Sequence, residues 1–361
     1  MVTESDFMRR ALFHARRAEG VTTPNPLVGA VIVTTDGIVV GQGRHPRAGE
    51  PHAEVFALDE AGARARGATM FVTLEPCCHT GRTGPCTRRI IDAGIARVVA
   101  AMTDPNPAVS GKGFDELRRH GIAVDVGLLT AEAQRLNQAF TIVQTHQRPM
   151  VIAKVATSRD ARIAAAPGAR TQLTSAAANR KTQRLRAAVD AVAVGSGTVL
   201  ADDPVLTVRE LYRPRPLARV VFDRELRTPP TARLFSTLDA GPVIILTTGD
   251  AVGRHFERAR HLTMHGATLI EGTGDLRHDL GMLLRFDISA LLLEGGAAMH
   301  AAAWRAGVID RLHTIVAPTE LGEGGVMSFE GLEIPASELF PVHVEMLGPD
   351  AWMEADVHRH R

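Results

Sequence analysis

"EPCCHTGRTGPC", residues 75–86, holds all 3 cysteines of the 361-residue sequence. A short apolar run, Met70–Leu74, leads into it, so the cluster starts where a strand is predicted to end. Cysteines spread along a chain can staple loops, whereas cysteines confined to one turn of an otherwise thiol-free chain point to metal or catalysis. The amino terminus, "MVTESDFMRRALFHARRAEG", has arginines where a signal peptide needs its apolar stretch, and no segment offers about 18 uninterrupted apolar residues, so a cytoplasmic protein is expected. Charges nearly cancel, 41 basic against 40 acidic. That balance gives no net pull toward nucleic acid or an anionic membrane. With 45% hydrophobic residues the chain can bury a sizeable core, and its length fits two domains of roughly 100–200 residues.

Upstream of the cysteines stands "PHAEV", which puts His52-Ala53-Glu54 at the start of a predicted helix. His-x-Glu followed by Pro-Cys and a further cysteine is the pattern of zinc deaminases; here Pro76-Cys77 supplies the second half and Cys86 closes a longer spacer. The chemistry explains the pattern. A catalytic zinc keeps three protein ligands and one open position, where water is acidified, and a carboxylate outside the ligand set moves protons to the departing amine. Cys77 and Cys78 are adjacent, and both could not turn to one tetrahedral ion beside Cys86 without straining the turn. The expected ligands are therefore His52, Cys77 and Cys86, with Glu54 as proton carrier. A structural zinc site, which usually fills four protein positions, and buried free thiols beside an unrelated histidine are the alternatives.

Elsewhere helix and strand alternate. The opening stretch has helical periodicity through Phe7, Ala11, Ala15 and Ala18. Leu27–Val33 and Ile38–Gly41 flank Asp36-Gly37, a hairpin turn. A helix is predicted at Ala53–Ala65, strands at Met70–Leu74, Arg97–Ala101 and Ile122–Val126, and helices after Cys86 and over Phe114–His120. "FTIVQTHQRPM" reads as the passage into a second domain, with the boundary near Arg148. Beyond "MVIAKVATS", a helix at Ser175–Ala188, strands at Ala191–Val194, Arg219–Phe222, Val243–Thr247 and Ala290–Glu294, and a helix at Ala297–Ala306 predict a second α/β unit.

"TPNPLVGAVIV", "GRHPRAGEPHAEVFAL", "TLEPCCHTGRTGPC" and "MTDPNPAVSGKG", with "GSGTVLADDPVLTVR" and "LLLEGG" later, resemble the bifunctional deaminase-reductases of riboflavin biosynthesis over nearly the whole chain. The resemblance implies a cytidine-deaminase-like three-layer α/β/α domain over residues 1–147 and a dihydrofolate-reductase-like α/β domain over residues 148–361. It implies a zinc-dependent deaminase that removes the 2-amino group of a diaminopyrimidinone ribosylamine phosphate, and a reductase that converts the ribosyl side chain to ribityl with NADPH. Small phosphorylated pyrimidines are implied as substrates, and a homo-oligomer is expected. Asn25 and His45 match positions for the deaminase substrate, and His79 and Arg82 a loop that could meet its phosphate. Asp104 and Asn106 are explained by turn chemistry alone.

In the second half no G-x-G-x-x-G follows the first strand, so a Rossmann fingerprint is not supported. "ALLLEGGAAMHAAAW" instead runs from strand through two glycines into a helix, which offers bare amides to phosphate oxygens. By resemblance, Lys154, Arg186, Leu206, Arg209 and Glu294 match substrate contacts and Thr198, Asp202 and Gly296 cofactor contacts. Read from its neighbours alone, Arg186 in "NRKTQRLR" belongs to a solvated basic helix face. Two departures from the family pattern fall here: Ala161 stands where glycine is usual, and Gln172 where tryptophan is usual, expected to weaken packing around the ligands. The rival reading is a nucleoside or RNA deaminase with a non-catalytic second domain; a balanced charge and 4% aromatic residues give it little support.

Overall fold

The computed structural model describes residues 2–79, 84–107 and 109–358. The chain divides into two compact units, residues 1–147 and 148–361. Among the described residues no helix is long and apolar enough to cross a membrane.

The first unit runs α1 (Glu4–Arg16), β1 (Gly29–Val33), β2 (Val39–Arg44), α2 (Ala53–Ala61), β3 (Thr69–Val72), α3 (Cys86–Asp92), β4 (Arg97–Ala100), α4 (Lys112–Arg119), β5 (Ala123–Val126), α5 (Thr130–Leu136) and α6 (Gln138–His146). Its sheet has the order β2-β1-β3-β4-β5. β1 pairs antiparallel with β2 and β3, and β3, β4 and β5 run parallel. β1 is "GAVIV" and buried at every position, as a strand covered on both faces must be. Helix α2 lies unusually close to β2, because β2 presents glycine there. A Cβ on Gly41 would overlap the carbonyl of Ala57, and one on Gly43 the carbonyl of Ala53. The stretch 138–146, expected to be the passage between domains, is instead helical. It ends at Gln147 in a left-handed conformation. Phe140 packs on the core, and Asn137 exchanges hydrogen bonds with the backbone of Leu27 at 2.8 and 3.0 Å.

The second unit contains β6 (Met150–Thr157), β7 (Arg162–Ala164), α7 (Ala176–Ala188), β8 (Ala191–Gly195), α8 (Ser196–Asp202), β9 (Ala218–Phe222), β10 (Val243–Thr248), α9 (Gly249–Arg254), α10 (Phe256–Met264), β11 (Ala267–Gly272), α11 (Leu276–Gly281), β12 (Ala290–Leu293), α12 (Ala297–Arg305), β13 (Ile309–Val316), β14 (Val326–Met327), β15 (Leu339–Leu347) and β16 (Asp350–Val357). Nine strands form one sheet, β11-β10-β9-β8-β12-β6-β13-β16-β15. It is parallel from β11 to β13 and closes on the antiparallel pairs β13–β16 and β16–β15. At its start Arg148 forks onto Asp310 at 2.7 and 2.8 Å, and Asp310 also accepts the Val151 N–H. β6 and β13 are thus clamped at one end by a buried, hydrogen-bonded ion pair.

Ala161 sits in the turn between β6 and β7 at φ +60°, in the left-handed region where a Cβ is strained. Hydrogen bonds hold it there. The Ala161 N–H reaches the Ser158 carbonyl at 3.1 Å, and Asp160 accepts the backbone N–H groups of Leu321 and Gly322 at 3.1 and 2.8 Å.

Candidate active sites

In the first unit three element ends converge. β3 delivers Cys77 just beyond its carboxyl end, α2 starts at its N-cap His52, and α3 opens on Cys86 after Pro85. His52 Nδ1 lies 3.5 Å from Cys77 Sγ and 3.3 Å from Cys86 Sγ, and the three ligand atoms lie within 4.8 Å of one another. The Cys86 N–H points at Cys77 Sγ across 3.4 Å. The hydrogen bond from the Cys86 thiol pushes the Cys77 thiol down to about 4, against the cost of its burial, and drives Cys86 upward in turn. Cys78, next in the chain, stands outside this cluster, and burial raises its thiol. One imidazole and two thiols at these separations form the donor set of a catalytic zinc with its fourth position open.

Glu54 follows two residues after His52 on the first turn of α2. Burial, and then the charge of Cys77, raise its carboxyl to about 7. Its Oε2 is buried without a hydrogen-bond partner. A carboxyl so placed can hold or release a proton near neutral pH, and its orphaned oxygen faces a cost that a bound ligand would relieve.

A cavity of about 400 Å³ opens beside the cluster, with Asn25, His45, His79 and Asp104 in its wall. His45 is oriented from both sides: its Nδ1–H donates to the Pro51 carbonyl at 3.1 Å, and its Nε2 accepts from Asn25 Nδ2 at 3.0 Å. Its ring meets His52 edge-on at 5.3 Å. Glu75, not singled out in the sequence, braces the far wall. Its carboxylate accepts the backbone N–H groups of Asp104, Gly111 and Gly113 at 2.9–3.1 Å. Asp104 and Asn106, read as turn residues, also line this cavity. The signal for Glu75 was its place beside Pro76-Cys77. Arg82 lies outside the described residues.

The second unit gathers Lys154 from β6, Arg186 from α7 and Glu294 just past β12. Arg186 Nε and Nη2 reach Glu294 at 2.6 and 3.0 Å, and Lys154 Nζ lies 3.4 Å from it. Burial alone would raise the Glu294 carboxyl, but the charges of Arg186 and Lys154 outweigh it and hold it at about 2. Arg186 is therefore largely covered and paired, not part of a solvated face; the inward side of "NRKTQRLR" also carries the polar Thr182 and Gln183, so no apolar stripe marked it. Arg186 also donates to the Thr207 carbonyl at 2.9 Å, and Gln183 accepts the Arg209 N–H at 2.9 Å. These two bonds fix the segment carrying Leu206 and Arg209. Leu206 is buried with φ +58°, and Arg209 is exposed.

Thr198, Asp202 and Gly296 line a second cavity, of about 1250 Å³. Gly296 caps α12, and its N–H donates to Thr198 Oγ1 at 3.1 Å. A Cβ on Gly295 would come within 3.0 Å of Met299 Cβ and 3.3 Å of Gly195 N, so the missing side chain lets the loop before α12 pack closely on Met299. Arg224, Arg227, Arg277 and Arg305 add positive charge. Asp202, Glu225, Asp275 and Asp279 stand in the same lining. Gln172 does not take part: the wall reaches Thr171, and Gln172 is exposed with its amide on the Thr174 carbonyl at 3.0 Å.

Two families match the chain, the cytidine and deoxycytidylate deaminase zinc-binding region over residues 1–102 and the RibD C-terminal domain over residues 149–353. The riboflavin biosynthesis protein RibD of Aquifex aeolicus is 40% identical over 356 residues, covering 97% of this chain and 98% of its own. That of Escherichia coli is 40% identical over 360 residues, 95% of this chain and 96% of its own. Among solved structures, RibD of Acinetobacter baumannii superposes with a TM-score of 0.85 at 36% identity, over 98% of this chain and 99% of that one. A diaminohydroxyphosphoribosylaminopyrimidine deaminase/5-amino-6-(5-phosphoribosylamino)uracil reductase of Thermotoga maritima does so with a TM-score of 0.86 at 33% identity, over 98% of both chains. With a zinc-binding deaminase region, a reductase domain and full-length similarity all in one sequence, the chain belongs to the RibD family of bifunctional riboflavin-biosynthesis deaminase-reductases.

Proposed function

We propose that residues 1–147 deaminate a diaminopyrimidinone ribosylamine phosphate and that residues 148–361 reduce the ribosyl side chain of the deaminated product to ribityl with NADPH. The observation that carries the reading is the unpartnered buried Oε2 of Glu54 beside a three-donor cluster. His52, Cys77 and Cys86 would hold a zinc ion, which would supply Lewis-acid activation of the attacking water. Glu54 accepts that water's proton and passes it to the ring amino group, which leaves as ammonia. Asn25, held by His45, and His79 meet the pyrimidine and its side chain.

In the second unit NADPH supplies the hydride. Thr198, Asp202 and Gly296 hold this cofactor, with the arginine-lined wall favouring its phosphates. Lys154, Arg186 and Arg209 bind the phosphorylated substrate together with the Leu206 backbone, and Glu294 fixes the two buried cations in place. The protein works as a cytoplasmic homo-oligomer on small phosphorylated pyrimidines, with no nucleic-acid or membrane substrate; the balanced charge supports this reading. In a coupled assay with purified protein, the diaminopyrimidinone phosphate and NADPH, Glu54→Gln is expected to retain zinc, lose deamination and still reduce the deaminated intermediate. A substantial deaminase rate in that variant would remove Glu54 from the mechanism.

A further inference from the structure

One buried titratable side chain lies outside both cavities. His300, on α12, is 2% exposed. Its Nε2 stands 3.3 Å from the carbonyl oxygen of Leu293, the last residue of β12. A carbonyl only accepts, so Nε2 carries the proton and Nδ1 is left as a lone pair. Nδ1 is buried and has no hydrogen-bond partner. The ring leans on Phe329, with centroids 5.3 Å apart, and Trp304 meets the same phenylalanine edge-on at 6.2 Å. Burial holds the imidazole down at about 4; Lys154 pushes the same way, and the Leu293 carbonyl and Glu294 oppose them. An apolar side chain would fill this space without an orphaned nitrogen. What the imidazole adds is the bond to Leu293.

We propose that His300 is a positioning residue for reduction: through the Leu293 carbonyl it staples α12 to the end of β12, and so sets Glu294 and Gly296 relative to each other. This rests on the reading of residues 148–361 as an NADPH-dependent reductase. The bond spans Glu294-Gly295-Gly296, the three residues between strand and helix. Two of them are glycines, which have the most backbone freedom to lose. At one end Glu294 meets Arg186 and Lys154; at the other Gly296 caps α12 and donates to Thr198 Oγ1. Alternation turns Leu293 into the core beside Trp304 of α12, and Glu294 toward Arg186 of α7. His300 therefore grips the strand end from one side of the sheet while Glu294 serves the cations on the other. The loop's own bonds tie its ends to different neighbours, the Glu294 N–H to the Ala193 carbonyl at 2.8 Å and the Gly296 N–H to Thr198. The His300 bond runs across it. Releasing that bond frees both ends together, so substrate and cofactor lose affinity in step.

Steady-state reduction of the deaminated intermediate by the full zinc-loaded chain, with both ligands varied, tests the assignment. His300→Leu fills the space without donating. It is expected to raise KM for NADPH and for the intermediate each about three- to tenfold, the range of one lost hydrogen bond, with kcat changing less. His300→Gln, whose side-chain amide can donate from near the place of the ring Nε2, is expected to restore both constants. Deamination is expected to keep its rate in each variant. A wild type that does not reduce the intermediate with NADPH overturns the reductase reading and this inference with it. With an active wild type, a His300→Leu variant that keeps both constants, loses thermal stability alone, or changes one constant alone overturns the inference and leaves the reading standing. A glutamine variant no better than the leucine one does the same. Should the leucine variant misfold, long-range proton–nitrogen spectra of the histidine-labelled wild type provide the second measurement, with the His300 signals identified by their loss in His300→Gln. A neutral ring protonated on Nε2 is expected through the neutral range, where an ordinary histidine still titrates. A ring protonated on Nδ1, or a charged one, overturns the proposal.

Discussion

Glu294 is a carboxylate almost without water, held ionised by the two cations it pairs. Replacing it by glutamine leaves Arg186 and Lys154 facing one neutral amide, and an uncompensated buried charge of this kind costs about 3–5 kcal/mol. The loss carries a pH signature. A carboxyl at about 2 in the folded chain and near 4.5 when free lends stability that is complete above the free value and fades as pH falls through the folded one. Urea titrations should therefore show the Glu294→Gln deficit in full at neutral pH and shrinking between those two values. A deficit that stays constant through the acid range would show that the variant loses packing, not charge. In the other site, Cys78→Ser is expected to keep a full zinc complement and Cys86→Ser to lose it, by metal analysis of purified protein. At this scale the metal-site candidates were legible because ligand type, order and spacing are themselves the chemistry. Glu75 was marked only by its place beside Pro76-Cys77, because a carboxylate whose partners are backbone amides 29–38 residues away adds no pattern of residue types of its own.

At the scale of elements, the position of His52 and Glu54 depends on how near α2 lies to β2. Gly43 sets that approach from the strand side, under the first turn of the helix. Gly43→Ala has to push the amino end of α2 outward, because the atom it meets is backbone and cannot rotate away. The expected result is a stability loss of about 1–3 kcal/mol, together with weaker zinc binding, since one of three ligands moves. Chelator competition would check this; unchanged zinc affinity would mean that α2 shifts as a whole without carrying His52 off its partners. The covered elements were readable from sequence. β1, β3, β8 and β10 are short apolar runs, and α12 follows its glycines directly. The helix at 138–146 went unread because "FTIVQTHQRPM" reads as the passage before the β-rich run "MVIAKVATS", while Phe140 and Asn137 tie it to the first unit. The final hairpin escaped notice for the opposite reason: one face of β15 is bare, so its alternation of Val342, Val344 and Met346 with His343 and Glu345 has no buried counterpart.

Across the whole molecule, each unit has its own apolar core, one built around β1, β3 and β4 and the other around β6, β8, β9 and β12. Their candidate sites are separate too: the three-donor cluster lies in the first unit, and the larger cavity lined by Thr198, Asp202 and Gly296 in the second. Ligand binding stabilises only the body that binds, by about 2.7 kcal/mol when the ligand stands at a hundredfold its dissociation constant. Calorimetry of the full chain is therefore expected to resolve two transitions with separate responses. Removing zinc with a chelator should lower one and abolish deamination, while leaving NADPH-dependent reduction of the deaminated intermediate intact. Adding NADPH should raise the other and leave the zinc-sensitive transition where it was. NADH at the same concentration should raise it less if the arginines of the larger cavity read the extra phosphate. A single transition that moves as one with either ligand would show that the two cores melt together, and the separate assignment of the two activities would then have to be tested by kinetics alone.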